Sequence, residues 1–215
     1  MTTFLDAVND VLTRLRESNV SSVTQTTYSS LIGKLVNDSK KQVEDAWNWD
    51  ALSTTLTLTL TPGTTTYTLT GSGMRQKQTT VNNTSNRAPV LNVPIQWILN
   101  QQQLSNVGTG QPIYYAWNGT DGTDSKVEVY PTPDSTAVLK FNLYVPQVDL
   151  VNNTDVISVP SDPVVMGAYA RALVERGEDG GLGSSEAYLL YKGILADRIS
   201  IESGRFVENE CWAPV

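Results

Sequence analysis

Val127-Glu128-Val129-Tyr130-Pro131-Thr132-Pro133-Asp134, followed by Val138 to Val145 and then by Val156-Ile157-Ser158-Val159-Pro160-Ser161-Asp162-Pro163-Val164, decides the fold class. Val127 to Tyr130 alternates as a strand half buried against a core does, and Pro131 and Pro133 remove backbone donors and turn the chain. A second alternating strand follows through Val138, Phe141, Leu143 and Val145. Ser161-Asp162-Pro163 then reads as a helix start, with a capping hydroxyl and a proline in the first turn. The spacing therefore predicts strand, turn, strand and helix, with Val165, Ala168, Tyr169, Ala172 and Leu173 forming the helix's apolar stripe.

Upstream of this stretch the period is helical. Thr3 offers a cap and Asp6 the reciprocal carboxylate three residues on, before Phe4, Leu5, Val8, Val11, Leu12 and Leu15 recur at helical spacing. Tyr28, Leu31, Ile32, Leu35, Val36, Val43, Ala46 and Trp47 trace a second stripe, expected to pair antiparallel with the first. At Trp47-Asn48-Trp49-Asp50 the period changes to two: Leu52, Leu56, Leu58 and Leu60 alternate with threonines, and Pro62-Gly63 separates them from Thr66 to Leu69, which predicts a hairpin. Trp47 and Trp49 are expected to seal the helix-sheet junction.

Gly71 to Arg87 is polar and reads as a loop or an edge hairpin. Val90 to Val93 suggests a strand, and Pro94 to Leu104 a short helix with Ile95, Ile98 and Leu99 inward. Ile113 to Trp117 turns at Asn118 to Gly122 into Val127 to Tyr130, extending an antiparallel meander. A last helix carries Tyr188, Tyr191, Leu195 and Ile199 after the Gly-rich, acidic connector Gly177 to Ser184. The expected fold is α+β: a four-helix bundle from residues 1-50 and 161-203, an inserted antiparallel β-rich lobe at 51-160, and a carboxy-terminal tail at 204-215.

In element order, and in Tyr130-Pro131-Thr132-Pro133-Asp134 with Val164-Val165-Met166-Gly167-Ala168-Tyr169-Ala170-Arg171-Ala172, the chain resembles the head-to-tail adaptors of short-tailed bacteriophages, the tail tubular protein A group. The resemblance implies a structural virion protein in a dodecameric ring between the portal protein and the tail nozzle protein, with tail fibres as a further partner. It also implies an axial channel through which genomic DNA passes without specific binding. The net charge of -7 suits a conduit wall that repels phosphate, and no Lys/Arg cluster of a generic nucleic-acid binder is present.

Other function classes find less in the residues. With no histidine, Ser-His and Cys-His nucleophile pairs and histidine-ligated zinc are excluded. The single cysteine, Cys211, has no neighbouring cation to activate it and excludes an internal disulfide framework. Carboxylate-only glycan hydrolysis could use, for example, Asp121 and Asp124, or Glu175, Glu178 and Asp179. Asp121 and Asp124 lack the further ligands of a calcium loop, so no metal or cofactor is expected. A carbohydrate- or cell-surface-binding β module would rest on Trp97, Tyr115 and Trp117 as stacking platforms. No segment is long and apolar enough to span a membrane and no signal peptide is evident, so synthesis in the cytoplasm is expected, and the resemblance implies incorporation into the virion. Arg205, Phe206 and Trp212 are the candidate docking residues, because Phe206 and Trp212 place aromatic groups on a segment that has no amphipathic period from Arg205 onward.

Overall fold

The structure, a computed structural model, describes residues 2–103, 107–177 and 182–205. The chain divides into two compact units, Met1–Ala51 with Gln147–Val215, and Leu52–Pro146. The first unit is helical. Helix α1 (Phe4–Arg14) starts in the expected capping box of Thr3 and Asp6 and buries Phe4, Ala7, Val8, Val11 and Leu12. Helix α2 (Thr27–Ala46) has a capping box of Thr26 with Ser29. Its buried stripe is less apolar than expected, because Ser29, Ser39, Lys40 and Glu44 share it with Ile32, Val36 and Val43.

The chain returns to this unit at Gln147, so residues 147–160, expected in the β lobe, lie with the helices instead. Leu150, Ile157 and Val159 are buried there. The next helix along the chain, Ser161–Arg176, begins without a side-chain cap, since Pro160 occupies the cap position. Ser161 Oγ, expected to cap, accepts from Thr2 Oγ1 at 2.9 Å. Gly177, at φ 63°, ends this helix in the left-handed conformation that a Cβ would strain. The last helix spans Leu182–Ser203.

The second unit is a sandwich of two four-stranded sheets. In chain order it holds β1 (Ser53–Leu60), β2 (Thr66–Thr68), β3 (Lys77–Asn83), β4 (Ala88–Pro89), β5 (Leu91–Asn92), α3 (Ile95–Gln102), β6 (Tyr114–Thr120), β7 (Ser125–Tyr130) and β8 (Ala137–Tyr144). One sheet has the order β1-β8-β3-β4 and the other β2-β7-β6-β5. With α3 counted, the long helices are α4 (Ser161–Arg176) and α5 (Leu182–Ser203), and α4 packs against α1, α2 and α5.

One expected pairing, the hairpin of β1 with β2, does not form. β1 pairs with β8, Leu56 opposite Phe141 and Leu58 opposite Leu139, while β2 pairs with β7. The Pro62-Gly63 turn and the Pro131 to Asp134 turn are therefore crossovers between facing sheets rather than hairpin turns. They lie side by side, Gly63 N donating to Pro133 O at 2.8 Å. The reason is one of length and of missing donors: three residues of β2 cannot match eight of β1, and the prolines end lateral pairing after β7. The β6-β7 hairpin does form, Tyr115 opposite Val129.

Of the two readings of Gly71 to Arg87, loop or edge hairpin, the hairpin forms: β3 pairs antiparallel with β4 at the sheet edge, and the difference is that β3 itself lies inside the sheet, beside β8. Val81 faces the core, and its other neighbours meet water in a ladder where Thr55 Oγ1 donates to Asn142 Oδ1 and Asn142 Nδ2 to Thr80 Oγ1. The core joins the sheets through Leu58, Leu60, Val81, Val127, Val129, Leu139 and Phe141, with the Phe141 ring 5.4 Å from that of Tyr115. Helix α3 buries Ile98 as expected, whereas Leu99 is 39% exposed.

Candidate functional site

Three surfaces of the helical unit combine exposed apolar groups with a firmly held backbone. The first is the returning strap, residues 147–156. Lys40, fully buried on α2, donates from Nζ to Gln147 O at 2.8 Å, Val148 O at 3.0 Å and Glu44 Oε1 at 3.1 Å. Gln147 N donates back to Glu44 Oε1 at 3.2 Å. Asn37 grips Leu150 at both backbone groups, Leu150 N donating to Oδ1 at 2.8 Å and Nδ2 donating to Leu150 O at 3.0 Å. Asp155 accepts from the N–H groups of Val151 and Asn152, each at 2.7 Å, and these bonds hold its carboxyl below the usual range. Between these clamps Val148 and Val151 stand 83% and 73% exposed, on either side of buried Leu150.

The second surface is a groove of ≈ 660 Å³ walled by α2, α4 and α5. Gly167 forms its base because a Cβ there would clash with Ser39 Oγ and meet the Tyr191 ring at 3.2 Å. Its rim carries Val174, Tyr188 and Leu189, all exposed, and Arg171, which donates to Gln42 Oε1 at 2.7 Å.

The third is a cavity of ≈ 680 Å³ where α5 ends, lined by Trp49, Ile157, Pro160, Arg198, Glu202 and Arg205 among others. Arg205, a predicted docking residue, pairs with Glu202 at 3.1 Å, and Glu202 accepts from Asp50 N at 2.9 Å. Phe206 and Trp212, the other two, lie outside the described residues, as does Cys211. Trp49 is buried and donates from Nε1 to Val43 O at 2.7 Å, while Trp47 is half-buried at the end of α2.

The residues proposed for chemistry are used locally. Asp121 accepts from the N–H groups of Asp124 and Thr123, which lower its pKa, and Asp124 accepts from Gly73 N at 2.9 Å. Both carboxylates thus shape the turn after β6. Glu175 is exposed on α4, and Glu178 and Asp179 lie outside the described residues. The stacking platform does not assemble: Tyr115 is fully buried, its hydroxyl pushed up to about 12 by that burial, and Trp117 packs on the core with Nε1 donating to Gln78 Oε1. Trp97, 36% exposed, meets Tyr114 and Tyr130 edge-on at 5.0 and 5.6 Å.

Two features escaped the sequence. Lys40 and Glu44 fall four apart on the α2 stripe between Val36 and Val43, so the helical period itself signalled a buried ion pair. Glu128, 3% exposed on the outer side of β7, accepts from Thr66 Oγ1 at 2.6 Å, Gln102 Nε2 at 2.7 Å and Asn118 Nδ2 at 3.1 Å. Burial raises its pKa, yet the hydrogen bonds from Thr65, Thr66, Gln102 and Asn118 outweigh that and leave it lowered.

Among the described residues no cluster of three or more Cys, Asp or Glu is arranged to hold a metal, and no helix is long and apolar enough to cross a membrane. A family model described as SU10 adaptor protein matches residues 2–207. No curated protein matches the chain.

Proposed function

The chain belongs to the SU10 adaptor protein family, an adaptor family of bacteriophages, and from that premise we propose that it forms a dodecameric ring between the portal protein and the tail nozzle protein. The coarser role follows from the family: a structural, non-enzymatic component of the phage particle that contacts other head or tail proteins. The observation that carries the proposal is the extent of the match, which runs through both the helical unit and the β sandwich. The ring encloses the channel for the genome, and a net charge of -7 favours passage over binding. Trp47 and Trp49 brace the chain where it leaves α2 for the sandwich. Arg205, Phe206 and Trp212 engage the portal or a neighbouring copy, with tail fibres as a further partner of the assembled ring.

The test is the mass of the purified protein alone and after mixing with its cognate portal, with electron microscopy of the product. Rings seated on the portal support the reading; a chain that stays monomeric and unattached refutes it. Deleting residues 206–215 is expected to abolish portal attachment while leaving the melting temperature nearly unchanged. A large fall in melting temperature would assign the tail to the helical unit's own core.

A further inference from the structure

We propose that the strap of one protomer seats Val148 and Val151 in the α2/α4/α5 groove of the next copy, a repeated head-to-tail contact that closes the ring. The inference deepens the adaptor reading and rests on it. Three observations carry it. The first is chemical fit: two exposed valines on a backbone pinned by Lys40, Asn37 and Asp155 form a rigid apolar projection, and the groove offers Val174, Tyr188 and Leu189. A projection already ordered before contact loses little conformational entropy on docking.

The second observation is charge. Asp155 and Asp149, the latter paired with Lys41 at 2.8 Å, are the charged residues around the strap's own hollow, and Arg171 is the charged residue lining the groove. Opposite signs at the rim steer encounter and set register. The third is placement. At about 100° per residue, Asn37, Lys40, Lys41 and Glu44 share the face of α2 that holds the strap, whereas Ser39 and Gln42 point to the roughly opposite face, toward the groove. Two different, complementary patches on opposite flanks of one helix leave a free copy of each after every association. That is the requirement for a ring, whereas a two-fold dimer needs one self-complementary patch.

The experiment uses full-length protein in a Cys211→Ser background carrying Val151→Cys, Leu189→Cys or both, assembled on the cognate portal and treated with a short thiol cross-linker. The double variant should give a ladder of covalent oligomers up to the ring. A mixture of the two single variants should stop at a covalent dimer containing one of each, and either single variant alone should give none. A ring of normal mass without cross-linking in the double variant, or a Leu189→Cys variant that links to itself, overturns the contact while sparing the ring. Absence of any ring removes both. As an independent arm, Val151→Asp and Leu189→Asp should each raise the concentration needed for assembly about tenfold or more with melting temperature unchanged, and normal assembly of both would also overturn the contact.

Discussion

Replacing Lys40 by Met tests what fixes the chain as it re-enters the helical unit. Methionine keeps most of the stem's volume and removes the ammonium, which bonds Glu44 Oε1, Gln147 O and Val148 O within 3.1 Å. Lys40 and Glu44 are both fully buried at the side chain, so the change strands a carboxylate away from water; breaking such a pair costs about 3–5 kcal/mol. Glu44→Leu alone strands the ammonium instead and is expected to cost a similar amount. The double variant has no buried charge left, and replacement of a buried pair by apolar residues is often close to neutral. What remains is the loss at the carbonyls of Gln147 and Val148 and the N–H of Gln147, about 1 kcal/mol each where water reaches them, as 83% exposed Val148 suggests. The double variant should therefore be more stable than either single one, with a coupling of at least about 2 kcal/mol. Urea unfolding followed by helical ellipticity gives the cycle, and amide exchange at Leu150 and Val151 reports the strap. Additive costs, or a Lys40→Met change below about 1 kcal/mol, would refute the reasoning.

Glu128 has a folded pKa below the ordinary glutamate value of 4.5, so its contribution is fully present above that pH and is lost as pH falls through the folded value. Acid titration of stability should accordingly show a shallower loss below about pH 4.5 for Glu128→Gln, and an unchanged slope would refute this. Leu58→Asp puts a charge into the sandwich core and should cost about 3 kcal/mol or more, whereas exposed Thr57→Asp should be mild; equal effects in urea would contradict the register. Gly167→Ala should cost about 1–3 kcal/mol by overpacking, and Ser39→Ala, which removes the clashing oxygen, should restore part of it; no rescue in thermal melts would place the strain elsewhere.

Local rules wrote the helices plainly and the sheet partners poorly. The Thr3 and Asp6 capping box and the three-and-four spacing of Phe4, Val8, Val11 and Leu12 are satisfied within one helix, so nothing distant can override them. Strand alternation was equally legible: Leu58 and Leu60 are buried and the intervening threonines exposed. Alternation says which face is buried, however, and not which strand lies alongside. Leu60 and Thr66 are close in the chain yet enter different sheets, because the partner of β1 is fixed by the matching length of β8 and by the edge-on packing of Phe141 on Tyr115 across the core. β3 reads ambiguously, as loop or edge hairpin, for a related reason. A strand inside a sheet with one wet face needs few apolar residues, and Val81 with its threonine and asparagine neighbours carries too little contrast to stand out from a loop.

The candidate surfaces follow the same division. Cys211, Phe206 and Trp212 could be singled out from residue type alone, and so could the acidic clusters, since reactive and aromatic groups are conspicuous in any sequence. The strap could not, because Val148 and Val151 are ordinary valines until the backbone around them is pinned. That pinning comes from Asn37 and Lys40, more than a hundred residues away, and from Asp155 a few residues on. Rigidity is what separates a docking surface from a scattered exposed valine: an unanchored loop would lose its freedom on association, whereas this one has already lost it on folding. Lys40 thus links the two levels. Its burial on α2 costs desolvation, its hydrogen bonds to Gln147 and Val148 offset that cost, and the same bonds hold Val148 where a neighbouring copy can meet it.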